Sequence, residues 1–275
     1  MKMIMNCDTK YPIMLIHGAG FRDRKYLNYW GRIPRALEKQ GAVLYYGHQD
    51  SWGSIEHNAG VLKDNLTKIL DETNCEKVNI IAHSKGGLEA RYMISSLGMA
   101  DKVASLTTLA TTHHGSKTID LFCKLPKWLY KTAAFFTNIF FRILGDKNPD
   151  FYMASRQFTT VHMTAFNEQN PDSPSVYYQS YAAVMRNPFS DIFMFWPNLF
   201  VWLIEGENDG LVTPKSAEWT NFKGILRGTT RRGISHADEV DVRRMNFSRK
   251  PSETGVSDIR NFYIDIASGL KQMGL

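Results

Sequence analysis

Short apolar segments alternate with helical patterns in the first part of the chain. Each apolar segment has the length of a β-strand, and each helical pattern is long enough to cross over a sheet. This alternation predicts an α/β fold with a mostly parallel central sheet and helices on both faces. The predicted strands are residues 13–16, 42–46, 78–82 and 103–109, and the predicted helices are residues 30–40, 55–71 (after the N-cap Ser54) and 87–97.

Residues 121–204 interrupt this alternation. Segment 125–144 has apolar positions at helical spacing, and further aromatic residues carry its apolar surface almost all the way round. Such a helix is either packed between neighbours in the core or a movable lid whose outer face meets lipid. A transmembrane helix is disfavoured by the charges in and beside the segment, which are Lys124, Lys127, Lys131 and Arg142.

A second apolar run covers residues 192–204 and contains Pro197 and Asn198. It is too short to cross a bilayer, which takes about 20 residues. Its apolar character predicts either a wall of an acyl-binding cleft or an ordinary buried helix or strand.

Ser84 lies between a predicted strand and a helical pattern, in the sequence AHSKG. A serine hydroxyl becomes a nucleophile only when it is held clear of the backbone, beside a base and backbone N–H donors. The sharp strand-to-helix turn of the G-x-S-x-G pattern provides this arrangement. Ala82 stands in place of the first glycine, which is a small change because a methyl group is the smallest possible side chain. The pattern therefore predicts a nucleophile at Ser84, and the alternative is an ordinary serine at a helix start.

A serine nucleophile needs a histidine base and an acid that orients it, and in this fold class they follow in the order Ser, Asp or Glu, His. Asp209 lies in the turn sequence ENDGLVTP and His236 in GISHADEVD, in that order. We therefore predict a triad of Ser84, Asp209 and His236, although a loop aspartate is more often only a turn former. The competing acids are Glu205, Glu207, Asp238 and Asp241, and the competing histidines are His17, His48, His57, His83, His113, His114 and His162.

Acyl transfer also needs donors for the oxyanion of the tetrahedral intermediate, usually two backbone N–H groups. We predict that one comes from Lys85, directly after the nucleophile, and the other from Ala19 in the glycine-containing loop LIHGAG. His17 is expected to brace this loop, and His83 to be structural. The Lys85 ammonium group is expected to be solvated near the cleft.

Several segments together resemble bacterial triacylglycerol lipases of the α/β-hydrolase fold. The similar segments are YPIMLIHGAG, KVNIIAHSKGGLEARY, THHGS, NDGLV and SHADEVD, and they extend over most of the chain. The resemblance implies a carboxylic ester hydrolase with a helical lid that acts on acylglycerols at a lipid–water interface. It implies no cofactor for the chemistry.

The resemblance also implies a structural calcium ion. In these lipases a metal-binding carboxylate follows the catalytic histidine by two residues, and Asp238 has that position here. Asp191 is the nearest match to the second carboxylate. Calcium takes about 6–8 oxygen ligands, of which two carboxylates and loop carbonyls would supply part. The alternative is that Asp238 is an ordinary loop or N-cap aspartate.

Composition limits the remaining possibilities. A chain of 275 residues with 43% hydrophobic residues is long enough for one large α/β domain and short for two. With the resemblance, this implies a single α/β-hydrolase domain over residues 1–275, with a helical lid inserted at about 119–170. Three widely spaced cysteines, Cys7, Cys75 and Cys123, indicate neither a disulfide scaffold nor a zinc site. The formal charge is +6, and the lysines and arginines are dispersed along the chain except for one group of arginines. This distribution indicates a solvated face with a weak attraction to anionic lipid and no nucleic-acid partner. These arginines are Arg227, Arg231, Arg232, Arg243 and Arg244.

The N-terminal sequence contains no export signal of the usual form, and no uncharged apolar run is long enough to span a membrane. We therefore expect a soluble protein, either cytoplasmic or a mature secreted form without its leader, of unassigned oligomeric state. The same triad would also serve a phospholipase, an esterase for short soluble esters or a hydroxyalkanoate polyester hydrolase. A non-catalytic lipid-binding protein is the alternative from another class.

Overall fold

The structure, a computed structural model, describes residues 6–23, 28–229, 232–244 and 255–275. Arg231 of the arginine group and the first five residues lie outside the described residues. Six parallel strands within the described ranges form one sheet in the order β2-β1-β3-β4-β5-β6, which confirms the predicted parallel sheet. The strands are β1 Ile13–Ile16, β2 Leu44–Tyr46, β3 Val78–His83, β4 Val103–Leu109, β5 Tyr177–Ala183 and β6 Phe222–Leu226.

Helices cover both faces of this sheet. α1 Ile33–Glu38 and α10 Ile259–Gln272 pack on one face, where Trp30 and Tyr263 are fully buried. α2 Ile55–Thr73 and α3 Lys85–Ser95 pack on the other. Because both faces are covered, β1, β3 and β4 are buried along their whole length, which explains their nearly continuous apolar sequence.

The predicted elements of the first half match these bounds closely. The second strand is shorter than predicted, starting at Leu44, and the helix predicted for residues 30–40 is regular only over α1. Ser54 is the N-cap of α2, where its hydroxyl accepts the His57 N–H at 3.2 Å, as predicted. The strands β5 and β6 were not predicted.

Four helices lie between β4 and β5, and two lie between β5 and β6. The first group is α4 Lys117–Phe122, α5 Lys127–Ile143, α6 Phe151–Arg156 and α7 Thr160–Gln169, and the second is α8 Phe195–Glu205 and α9 Pro214–Ala217. Only Ala134 of α5 is buried, so the interpretation of residues 125–144 as a core helix between neighbours does not fit. Residues 192–204 include most of α8, a helix with only Asn198 and Val201 buried.

Within the described part of the chain, no helix combines the length and hydrophobicity that crossing a membrane would require.

Candidate active site

Ser84 lies in the sharp turn between β3 and α3, where the predicted nucleophile was expected. Its backbone has φ 54° and ψ −129°, a conformation that is costly for a residue with a side chain. The turn is held by the Ser84 N–H, which donates to the Leu109 carbonyl at 2.9 Å, and by the Thr111 hydroxyl, which donates to the Ser84 carbonyl at 2.8 Å. A strained backbone of this kind lifts the side chain away from the helix that follows.

Gly86 lets α3 approach the end of β1 closely. A Cβ atom on Gly86 would lie 2.4 Å from the His17 carbonyl oxygen, so no larger residue fits without a shift of the backbone. Ala82, at the position of the first glycine of the usual pattern, is fully buried in β3. The end of β3 thus accommodates the methyl group of Ala82 at the position where the G-x-S-x-G pattern has its first glycine.

Asp209 and His236 lie side by side in two loops that are distant in sequence. Asp209 Oδ2 is 2.8 Å from His236 Nδ1, and the His236 N–H donates to the Asp209 carbonyl at 2.8 Å. The other carboxylate oxygen, Oδ1, accepts the N–H groups of Leu211 and Val212, each at 2.8 Å. Since Asp209 is fully buried and held by these donors, it fixes the orientation of the imidazole ring.

The His236 ring is adjacent to the serine turn. Its centroid lies 4.4 Å from that of His83, the residue before Ser84. Among the described residues, no hydrogen bond joins Ser84 to His236. Catalytic hydrogen bonds are often long or poorly aligned before substrate binds, so their absence here does not argue against His236 as the base.

The loop after β1 packs directly on the serine turn. A Cβ atom on Gly18 would lie 2.7 Å from Ser84 Cβ, so the glycine permits this contact. Within the described ranges, neither the Ala19 N–H nor the Lys85 N–H donates to a protein acceptor. Two backbone donors in neighbouring segments, both without a protein acceptor, are what an oxyanion hole requires.

The buried side chains of His17 and Lys85 support the loop after β1 and the serine turn. The His17 ring is fully buried, with its two nitrogens 2.7 Å from the Gly18 carbonyl and 3.1 Å from the Gln49 carbonyl. The Lys85 side chain is buried and forms an ion pair with Glu89, so the expectation of a solvated ammonium group is wrong. Asn58 donates to the same carboxylate at 2.7 Å. Burial raises the pKa of Glu89, and the Lys85 ammonium opposes that rise.

A second buried carboxylate, Glu239, lies beside the Asp209–His236 pair and was missed by the sequence analysis. Its Oε2 atom is 2.6 Å from His83 Nε2 and 3.6 Å from His236 Nδ1. His83 Nδ1 in turn lies 2.6 Å from the Tyr29 hydroxyl. Burial and the neighbouring Asp209 raise the pKa of Glu239 well above its usual value, and burial and His236 lower the pKa of His83. The directions of these two shifts favour the uncharged forms of Glu239 and His83 beside the Asp209 carboxyl group.

The donor atoms of His83, His236 and Glu239 lie within 4.8 Å of one another, a grouping that could hold a metal ion. The direct contact of 2.6 Å between His83 and Glu239 would have to break first. This cluster is therefore better explained as a hydrogen-bonded support for His236 than as a metal site.

The competing acids contact other partners. Glu205 accepts from Ser116 and Thr118, Glu207 pairs with Arg227, and Asp241 pairs with Arg32. Of the carboxylates in the described ranges, only Asp209 and Glu239 lie within 4.0 Å of a His236 nitrogen.

Residues 11–218 match a family described as having the alpha/beta hydrolase fold. This chain belongs to that family. The chain is 29% identical over 269 residues to triacylglycerol lipase 2 of Saccharomyces cerevisiae, with 92% of this chain and 77% of the yeast protein covered. It is 30% identical over 178 residues to a triacylglycerol lipase of Pseudarthrobacter phenanthrenivorans, with 60% of this chain and 55% of that protein covered.

The α/β-hydrolase fold is also found in solved structures of similar shape. A lipase of Bacillus licheniformis in its mature form matches with a TM-score of 0.63 and 23% identity, over 86% of this chain and 88% of that one. At this identity the likeness establishes the fold alone. Together, the comparisons confirm the predicted fold and the predicted resemblance to triacylglycerol lipases, and they support the predicted class, a serine ester hydrolase.

The two carboxylates for which the resemblance implies calcium lie together in this α/β hydrolase. Asp191 and Asp238 are both buried, and Ser235 donates to Asp191 Oδ2 at 2.7 Å. The guanidinium group of Arg243 contacts both: its Nε donates to Asp238 Oδ1 at 2.9 Å and lies 3.3 Å from Asp191 Oδ2. The ordinary N-cap role considered for Asp238 is therefore not its main interaction.

Proposed function

We propose that this α/β hydrolase is a lipase that hydrolyses acylglycerol esters through Ser84, His236 and Asp209. The observation that carries the proposal is the buried contact of 2.8 Å between Asp209 and His236, beside a serine held in a strained strand-to-helix turn. The similarity to proteins named triacylglycerol lipases supports the choice of substrate.

In the proposed mechanism, Ser84 Oγ attacks the ester carbonyl while His236 Nε2 takes its proton. The oxyanion accepts hydrogen bonds from the Ala19 and Lys85 N–H groups. Collapse of this intermediate breaks the ester bond, and His236 returns the proton to the leaving alcohol. Water, deprotonated by His236, then attacks the acyl-Ser84; the bond from the acyl carbon to Ser84 Oγ breaks, His236 returns the proton to Ser84 Oγ, and the fatty acid is released. Asp209 stabilises the imidazolium that forms in both steps, and its own position is fixed by Leu211 and Val212.

Exposed apolar surface on α5 supports a lipid–water interface as the place of reaction. Large exposed apolar patches mark surfaces that meet lipid or other partners. The exposed side chains of this helix include Trp128, Phe135, Phe136, Phe140 and Ile143, which are 57–78% exposed. The basic residues Lys127 and Lys131 on the same helix would favour an anionic lipid surface.

The position of α5 supports its role as part of a lid at residues 119–170. Gly20 and Phe21 of the loop that follows β1 line a narrow pocket together with Phe141 and Leu144 of the α5 end. This end is attached next to the site, because Asp146 accepts the Ser51 N–H at 3.0 Å. In the proposal, α5 covers the oxyanion loop and exposes its apolar side chains to lipid.

Replacing Phe136 and Phe140 together by serine should reduce activity on emulsified triacylglycerol much more than activity on a dissolved short-chain ester. The reason is that both side chains are exposed, so the change removes contact with lipid and not packing in the core. The measurement is the ratio of the two activities. Val43→Ser is the matched control, since Val43 is 55% exposed and directly precedes β2, at the amino end of the parallel strands, whereas Ser84 follows the carboxyl end of β3. Equal losses on both substrates would contradict the lid proposal.

The substrate proposal is tested by measuring turnover of emulsified triacylglycerols of different acyl length, phospholipid vesicles, a hydroxyalkanoate polyester and a dissolved short-chain ester. We expect the highest kcat/KM for a triacylglycerol. If phospholipid, polyester or the dissolved ester were preferred, the proposed triad would stand, but triacylglycerol would be replaced as the proposed substrate. Tight lipid binding with no turnover of any ester would identify a non-catalytic lipid-binding protein.

A further inference from the structure

The loop that carries His236 is tied to the segment before α8 by a buried charge cluster. Asp191 and Asp238 are 1% and 4% exposed, and they come from positions 47 residues apart (238 − 191). Two carboxylates buried so close together repel each other unless a cation lies between them. The structure places the Arg243 guanidinium in that position, with contacts to both.

Every oxygen of the two carboxylates already has a donor. Asp238 Oδ1 accepts Arg243 Nε at 2.9 Å, and Asp238 Oδ2 accepts the Arg243 Nη2 group and the Ser235 N–H. Asp191 Oδ1 accepts the Phe193 N–H at 3.0 Å, and Asp191 Oδ2 accepts the Ser235 hydroxyl. Calcium would need about 6–8 oxygens at roughly 2.3–2.6 Å, and here a nitrogen atom stands between the carboxylates. The residues present therefore do not fit calcium.

We propose that Arg243 is the resident cation of this site, in place of the calcium ion that the resemblance implies, and that it positions the loop of the catalytic histidine. Ser235 and Asp238 flank His236 in sequence, and both bond to the cluster directly. Arg243 thus connects the His236 loop to Asp191. It is a positioning residue, and the kinetic part of this inference depends on the proposed function.

The first test asks whether the wild-type protein binds calcium at this site. We expect its melting temperature to be unchanged by a calcium chelator and by millimolar calcium, and isothermal titration with calcium to give no binding. A protein that binds calcium, or that melts at a lower temperature in chelator, would overturn the proposal. Neither result depends on which ester, if any, the protein hydrolyses.

Replacing Arg243 by alanine is the second test. We expect a lower melting temperature, which millimolar calcium raises again because the two carboxylates are left without a cation. Asp238→Asn in the same background should abolish this response. Arg244→Ala is the matched control, since Arg244 is exposed and adjacent, and it should behave like the wild type. An Arg243→Ala protein that melts lower but does not respond to calcium would show that Arg243 does not occupy a cation site.

The third test separates positioning from stability. On a dissolved ester, Arg243→Ala should lower kcat by roughly 10- to 100-fold with little change in KM, because a small displacement of the base affects the chemical step. Arg243→Lys keeps the charge but not the two-pronged contact, so it should recover part of kcat. If Arg243→Ala does not fold, the kcat of Arg243→Lys decides. An unchanged kcat in the variant that folds would overturn the positioning role.

Discussion

Replacing Ser84 by alanine should lower kcat for ester hydrolysis by about 10⁵- to 10⁶-fold, because no acyl-enzyme can form and water must attack the ester directly. Substrate binding should change little, since the oxyanion donors belong to the backbone. The fold should also persist, because the turn is held by backbone contacts to Leu109 and Thr111 and not by the Ser84 hydroxyl. The measurement is the single-turnover rate with a chromogenic fatty ester.

A phosphonate ester that mimics the tetrahedral intermediate gives an independent measurement of the same residue. It should add one phosphonyl group to the wild type, located by peptide mass analysis on Ser84, and none to Ser84→Ala. Ser175→Ala is the matched control, since Ser175 is exposed and remote in sequence, and it should be labelled like the wild type. A Ser84→Ala protein that retained most of its activity or its labelling would place the nucleophile elsewhere.

The parts of the fold that sequence predicted are those with a strong local signal. β1, β3 and β4 are buried on both faces and are therefore mostly apolar, with a few buried polar residues in β3 and β4. Ser84 was found because a sharp turn between strand and helix needs small neighbours. Asp209 and His236 could be proposed because both lie in short turn sequences in the required order.

β5 shows why other elements were missed. Its sequence YYQSYAA contains polar residues that are nonetheless buried, because their partners come from distant segments. Gln179 donates to the Thr107 hydroxyl at 2.8 Å and Ser180 to the Trp219 carbonyl at 2.9 Å. No local pattern indicates such pairings, and these two polar residues interrupt the apolar run from which a buried strand would be predicted.

The same reason applies to the site. In the sequence, Lys85 resembles a solvated residue. In the structure it pairs with the buried Glu89, and only the packing of α2 against α3 brings Asn58 to that same carboxylate. Glu239 lies three residues after His236, but its partner His83 is 156 residues away. Arg243 is five residues from Asp238, and its contact with Asp191 depends on the fold. Sequence thus identified the proposed reacting groups, and the structure adds the groups that hold them.

Replacing Asp209 by asparagine should lower kcat by about 10⁴-fold with the fold intact. The asparagine carbonyl can still accept the Leu211 and Val212 N–H groups, so the loop should keep its shape. Its amide N–H₂ would then face His236 Nδ1 and donate to it. That contact favours the tautomer with the proton on Nε2, the nitrogen that must accept the Ser84 proton. The measurement is kcat on a dissolved ester, with circular dichroism to confirm folding.

Glu239→Gln is the matched control for this prediction, because it also removes one carboxylate within 4.0 Å of His236 Nδ1. Its effect should be far smaller. The close partner of Glu239 is His83, at 2.6 Å, and burial and the neighbouring Asp209 raise the pKa of Glu239 well above its usual value, which favours the neutral carboxyl group. The amide of glutamine can donate to His83 as the protonated carboxyl group does, so the support of the ring is preserved. Equal losses in Asp209→Asn and Glu239→Gln would mean that the two acids share the work of orienting His236, and a larger loss in Glu239→Gln would assign that role to Glu239.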